Sequence, residues 1–317
     1  MKGIDMSDLK DKHKEDSRNS TSPETLEISG IVDSHNHCTE FSPDASQTLD
    51  QLISEARAKG LGGFALTDHY DKDMINSKLH RGLSKPGSLP AEGEWIFDID
   101  RYFEAVNARQ AALQEVGTDF RLYSGLELGY LDYLTDSYRE LVAKYPFDVV
   151  IGSLHSLMGY DVYSFRELYQ KPKQEAYTLY LDGLTEMTEK LDFDICGHFD
   201  YVSRYASYDD NRMLYEEHKE AFDRFLEALV RHGKCLEINT AGFRSIKDLS
   251  GEPAGHPDSA ILQRYLELGG TKVCLSSDSH HNGRSAQHFN EAAAWLKELG
   301  FTALTYYEQR EARYTPL

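Results

Sequence analysis

Short apolar runs in this chain end, five times over, in a side chain that can bind a metal. Ile31-Val32 leads to His35-Asn36-His37, Gly63 to Leu66 leads to Asp68-His69, and Val149 to Gly152 leads to His155. Phe193 to Cys196 leads to His198, and Val273 to Leu275 leads to Asp278-Ser279-His280. In a parallel α/β sheet the carboxyl ends of all strands share one rim, so groups far apart in sequence can meet there. The recurrence therefore constrains the fold: these side chains converge only if the runs are parallel strands joined by crossovers.

The spacing between the runs fits that requirement. Strands are expected at Gly30–Val32, Gly62–Leu66, Arg121–Leu128, Asp148–Gly152, Phe193–Gly197, Lys234–Ile238 and Lys272–Leu275, with a last one at Phe301–Tyr306. Helical period marks the stretches between them. Leu49, Leu52, Ile53 and Ala56 share a face, with Ser46 as the expected cap and Gly60 at the C-terminal stop. Further helices are expected over about Asp100–Val116, Glu175–Lys190, Asn211–Arg231, Asp258–Leu268 and Ala286–Leu299. Strand then helix, repeated, predicts a closed barrel of about seven α/β units, because an open doubly wound sheet places its ligands at one switch point. The segment from about Met74 to Phe97 breaks the rhythm and reads as a long loop on the rim, either a lid or an inert excursion. Residues 30–317 are expected to form one domain and residues 1–29, polar and rich in Ser and Thr, a disordered leader.

Charge and cysteines narrow the function. A net charge of -19 repels polyanions and argues against a nucleic-acid partner, so an anionic substrate must be drawn in by local cations. Cys38, Cys196, Cys235 and Cys274 lie in or beside apolar runs without Cys-x-x-Cys spacing, which points to buried thiols and a reducing cytoplasm. No stretch approaches a membrane span of about 20 apolar residues. Histidine nitrogens mixed with carboxylates suit Zn, Fe or Mn, and the lack of clustered Cys argues against a structural zinc. For His35 and His37 to reach one ion, the first strand is expected to end and the backbone to turn.

The ordered set His35-x-His37, Thr67-Asp68-His69, Gly125-Leu126-Glu127, Ser153-Leu154-His155, Gly197-His198-Phe199-Asp200 and Ser277-Asp278-Ser279-His280 resembles the PHP (polymerase and histidinol phosphatase) superfamily. Two further stretches, Gly197–Tyr205 and Leu236–Arg244, look like its histidinol-phosphate phosphatases of the non-HAD type. The resemblance spans nearly everything after residue 30. It implies a distorted (β/α)7 PHP-type barrel with a trinuclear metal centre on the carboxyl rim. It also implies that His35, His37, Glu127 and Asp278 hold one ion, and that Glu127 bridges to a second held by His155 and His198. His69 and His280 would hold the third with a residue from the loop after His37. Many relatives have a histidine in that loop; this chain offers Asp44, a chemically adequate carboxylate ligand.

The activity so implied is hydrolysis of L-histidinol phosphate to L-histidinol and phosphate, a step of histidine biosynthesis. Arg204 and Arg244 are candidate phosphate contacts, against a surface ion-pair reading. Asp68 is expected to orient His69 or to support the ligands from behind, and Asp200 to orient His198 or to act in proton transfer to the leaving alkoxide, with a loop-capping carboxylate as the alternative for each. Of Glu237 and Asn239, one side chain is expected to face the pocket, and Asn239 is the choice; His281, next to a ligand, is a candidate substrate contact. Other readings are a phosphoesterase of the same barrel acting on another small phosphate ester, a metal-braced inactive barrel or binding module, and a metal-dependent amidohydrolase. The last lacks an obvious strand lysine beside Glu127.

Overall fold

The computed structural model describes residues 30–72, 95–157, 160–163 and 166–317. The expected leader and all of the 74–97 segment except residues 95–97 lie outside the described residues.

Seven strands form a nearly closed parallel barrel: β1 (Val32–Asp33), β2 (Gly63–Leu66), β3 (Arg121–Gly129), β4 (Val149–Ser153), β5 (Ile195–Cys196), β6 (Cys235–Asn239) and β7 (Val273–Ser276). Each pairs in parallel with the next in the chain. Gly63–Leu66 and Val149–Ser153 are buried along their whole length, as expected of parallel strands covered on both faces. A helix follows each strand: α1 (Leu49–Ala58), α2 (Ile99–Glu115), α3 (Thr135–Lys144), α4 (Lys173–Lys190), α5 (Lys219–His232), α6 (Ser259–Glu267) and α7 (Phe289–Leu299).

Local chemistry moves some boundaries. Thr48, not Ser46, caps α1, because it stands directly before the first helical residue and completes a capping box with Gln51. Ser46 instead bonds His281 Nδ1 at 2.6 Å. Helix α5 starts at Lys219 rather than Asn211, since the Asn211 side chain binds the Ser203 carbonyl and accepts from the Lys247 N–H, holding that stretch irregular. Helix α3 was not anticipated, and Phe301–Tyr306 is not a barrel strand. It belongs to an antiparallel hairpin of Ala303–Glu308 and Glu311–Pro316.

That hairpin closes the amino end of the barrel. The Gln309 N–H donates to the Asp148 carboxylate at 3.0 Å and the Arg310 N–H to the Asp148 carbonyl at 2.8 Å, just ahead of β4. Tyr307 joins Val32, Ala65, Tyr123, Val149, Ile151, Ile195, Cys235 and Cys274 in an inner apolar cluster. With this end filled by hydrocarbon, the polar interior is left to the carboxyl end.

The seam between β7 and β1 is held largely by side chains. Ser34 N–H donates to the Leu275 carbonyl at 3.1 Å, and Asn36 bridges Ser279. The buried Asp33 carboxylate accepts from the Ser277 N–H at 2.9 Å, the Ser277 hydroxyl at 2.5 Å and the Ala286 N–H at 3.3 Å.

Two outcomes are expected. Tyr307→Ala should lower unfolding stability by roughly 3 kcal/mol, read by urea titration, with metal content unchanged. Burial pushes the Asp33 carboxyl from 3.8 to about 6, against the pull of its Ser277 and Ala286 donors. A folded-state value above the unfolded one means that ionising Asp33 removes stability as pH rises between those values. That falling component between pH 4 and 6 should be absent from Asp33→Asn and so stand out in the difference between wild type and variant; identical pH profiles would refute the assignment.

Candidate metal centre

Every barrel strand except β6 delivers a donor to the carboxyl rim. His35 and His37 follow β1, His69 follows β2, and Glu127 sits within β3 beside the short pairing of His69 with that strand. His155 follows β4, His198 follows β5, and Asp278 and His280 follow β7. Asp44 enters from the loop between β1 and α1. Asp278 takes a left-handed backbone (φ +49°), a strained conformation of the kind that clusters at functional sites.

The donors form three groups that share Glu127. In the first, His35 Nε2 and His37 Nε2 lie 3.4 and 3.7 Å from Glu127 Oε2, and 3.8 and 3.3 Å from Asp278 Oδ1. In the second, His155 Nε2 and His198 Nε2 lie 3.1 and 3.0 Å from Glu127 Oε1 and 3.4 Å from each other. In the third, Asp44 Oδ2 lies 3.4 Å from His69 Nε2 and 3.3 Å from His280 Nε2. His69 Nδ1 also reaches Glu127 Oε2 at 2.6 Å, which ties this group to the others.

These separations fit cations. Ligands about 2.1 Å from one ion stand roughly 3 to 3.5 Å apart, a range that holds the separations in the second and third groups and two of the four in the first. Moreover, the ring nitrogens His35 Nε2, His37 Nε2 and His69 Nδ1, together with Glu127 Oε2, are buried without a hydrogen-bond partner. Buried polar atoms are rarely left so. Burial, reinforced by His280 and His69, holds the His37 ring well below its ordinary value, in the neutral form that binds metals. Burial alone would raise the Glu127 carboxyl, but His35, His69 and His155 outweigh it and keep it well below the usual range.

A family model of the PHP domain matches residues 33–241. The chain belongs to the PHP domain family. Among PHP proteins it is 28% identical to a probable histidinol-phosphatase of Clostridium acetobutylicum over 285 residues, covering 90% of this chain and 99% of the relative. It is 29% identical to the histidinol-phosphatase of Lactococcus lactis, covering 86% and 93%. The crystal structure of histidinol phosphate phosphatase from that organism, complexed with zinc, L-histidinol and phosphate, superposes with a TM-score of 0.74. It is 27% identical and covers 89% of this chain and 98% of that one.

Around the PHP donors, several outer contacts differ from expectation. Asp68 does not hold the His69 ring. Its Oδ1 accepts from the Cys38 N–H at 2.8 Å and the Ser42 hydroxyl at 2.6 Å, and its Oδ2 from the Cys38 thiol at 3.4 Å; Ser42 Oγ in turn accepts from the His69 N–H and meets His37 Nδ1 at 3.2 Å. Asp200 is not the partner of His198, whose Nδ1 is buried and unpaired; it lies 3.7 Å from Arg204 instead. Glu237 and Asn239 both face the barrel interior, their side chains bonded at 3.2 Å. Side chains alternate along extended chain, so residues two apart share a face. The same rule lets His35 and His37 share one ion without a turn.

Asn239 is occupied by structure: Nδ2 donates to Glu237 and to Asp278 at 3.1 Å, and Oδ1 accepts from the Ala241 N–H. Arg204 has a side chain only 8% exposed and donates to Asp278 at 3.4 Å, with Nε and Nη2 lacking hydrogen-bond acceptors. Arg244 and His281 are exposed, the latter bonded to Ser46. Sequence reading missed Asp71, whose Oδ1 meets His155 Nδ1 at 3.0 Å. A signal for it existed in Gly129, where a Cβ would stand 1.4 Å from that oxygen.

Asp71→Asn should therefore weaken metal binding by the second group about 10- to 100-fold, read as zinc retained against a graded chelator. Gly129→Ala should reproduce the loss by displacing Asp71. Full retention in both variants would remove Asp71 from the site.

Proposed function

We propose that this chain is a metal-dependent phosphomonoesterase that hydrolyses L-histidinol phosphate to L-histidinol and phosphate. The observation that carries the reading is the meeting of eight side chains able to bind metal around a ninth, Glu127. Its likeness over most of its length to an enzyme crystallised with zinc, L-histidinol and phosphate supports the choice of substrate.

Three divalent transition-metal ions fit the donors. His35, His37, Glu127 and Asp278 would hold the first, Glu127, His155 and His198 the second, and His69, His280 and Asp44 the third. When bound, such ions supply Lewis acidity toward phosphate oxygens and a nucleophile from water near neutral pH. They also reverse the local potential of an acidic chain. Asp44 exposes 42% of its side chain, so the third group is the most accessible to solvent.

The remaining work falls to this chain's own side chains. Arg204 carries unpaired N–H groups in a buried setting and is assigned to the phosphate oxygens, where a guanidinium gives directional, charge-assisted bonds. As the P–O bond to the substrate alkoxide breaks, a proton must reach that oxygen. Asp200 is the proposed donor: burial raises its carboxyl, with Arg204 and His198 pulling it back. Asp68, with both oxygens engaged by Cys38 and Ser42, is assigned to positioning rather than proton transfer. Arg244 and His281 are exposed and are assigned to the outer part of the substrate. Buried, unpaired thiols at all four cysteines fit the reducing cytoplasm in which we place the enzyme. No helix among the described residues is long and apolar enough to cross a membrane.

The test is phosphate release by the metal-loaded protein over a panel of small phosphate esters. L-histidinol phosphate should give the highest kcat/KM; a flat profile, or preference for another ester, would overturn the substrate. His155→Ala should reduce kcat at least 1,000-fold with the far-UV spectrum unchanged, a magnitude on the order expected when a catalytic group is lost. Wild-type turnover in that variant would remove the second group from the reaction.

A further inference from the structure

Resting on the metal reading above, the inference concerns a carboxylate within the barrel that belongs to none of the three donor groups. Glu237, on β6, is fully buried. Its Oε1 accepts from His35 Nδ1 at 2.7 Å, and its Oε2 accepts from the His198 N–H and from Asn239 Nδ2 at 3.2 Å. His35 supplies the first group and His198 the second. One rigid carboxylate thus reaches a ring of one group and the backbone of the other, while Asn239 extends the network to Asp278 at 3.1 Å.

We infer that Glu237 is a positioning residue that couples the loading of the first and second groups. Holding His35 Nδ1 as a donor fixes the tautomer, so that Nε2 keeps its lone pair toward Glu127 and Asp278. Holding the His198 N–H sets the backbone from which that ring reaches Glu127 Oε1. An ion drawing His35 into place steadies Glu237, which steadies His198. Asp71 gives the contrast: it touches His155 of the second group and lies 3.6 Å from His69 of the third, but meets nothing in the first. Chemistry makes the difference testable, because glutamine offers one acceptor and one NH2. In Glu237→Gln the amide can accept from His35 or from the His198 N–H, but at the other position its NH2 faces a second donor.

The experiment strips the whole chain of metal, equilibrates it across a buffered series of free Zn2+, and counts bound zinc per chain by elemental analysis. Unfolding of the metal-free protein is followed in parallel. E237Q should shift the loading of two zinc equivalents by about 10- to 100-fold toward higher free zinc. D71N should leave one of those two equivalents at its wild-type position. Zinc curves for E237Q that superpose on wild type while metal-free stability falls would reduce Glu237 to a structural part and overturn the inference. So would a shift confined to one equivalent. Should E237Q not fold, E237D is read in the same way, since its shorter carboxylate can serve one group but not both. A wild-type chain that binds no zinc would instead refute the metal reading itself, which keeps the two failures distinct.

Discussion

Glu127 is the group on which the rim depends. Its two oxygens face different histidines, with Oε2 toward His35, His37 and His69 and Oε1 toward His155 and His198. Ser153 fixes the second oxygen with a 2.7 Å hydrogen bond. A fully buried carboxylate among so many rings is tolerable only if positive charge surrounds it, supplied by protons or by cations. Burial would lower the His155 ring, yet Asp71 and Glu127 push it up to about 10, a measure of how strongly this interior calls for positive charge. Ions that satisfy it displace protons, so metal affinity and pH are linked here.

The barrel meets this demand by division of labour along its axis. At the amino end the interior is apolar, with Tyr307 and the thiols of Cys235 and Cys274 in one cluster. At the other end the interior holds His35, His37, Glu127, His198, Glu237 and Asn239, all buried. Parallel pairing makes the division possible, because it points all seven strand ends the same way. An antiparallel sheet of the same residues would scatter the histidines over two rims.

Legibility of the sequence followed the range of the interaction. The seven strands and the convergence of their terminal histidines were readable because apolar runs and ligand types are local signals. The last strand was readable as a strand, but not the sheet it joins, because its composition is strand-like in any sheet; contacts with Asp148, some 160 positions earlier, and the packing of Tyr307 put it across the barrel end. Helix α3 escaped because its Tyr138 and Val142 make a thin buried stripe. Asp71 and Glu237 were overlooked as partners of His155 and His35, since those pairings are 84 and 202 residues apart in the chain. Asp68 was assigned to its neighbour His69, whereas folding turns it toward Cys38 and Ser42. In Glu237 and Asn239 the error lay in the reading, for alternation along a strand was information the sequence already contained.

The hairpin at Ala303–Pro316 has a bearing on how the protein is made. The barrel strands leave the ribosome from residue 32 onward, yet the element that covers their amino ends follows all of them. Until it docks, a nascent barrel presents Val149, Ile151 and Ile195 to water. Such surface invites association with other unfinished chains. Biogenesis is thus exposed to a late hazard: a message cut short after α7 encodes all nine candidate metal ligands, but yields a vessel without a floor.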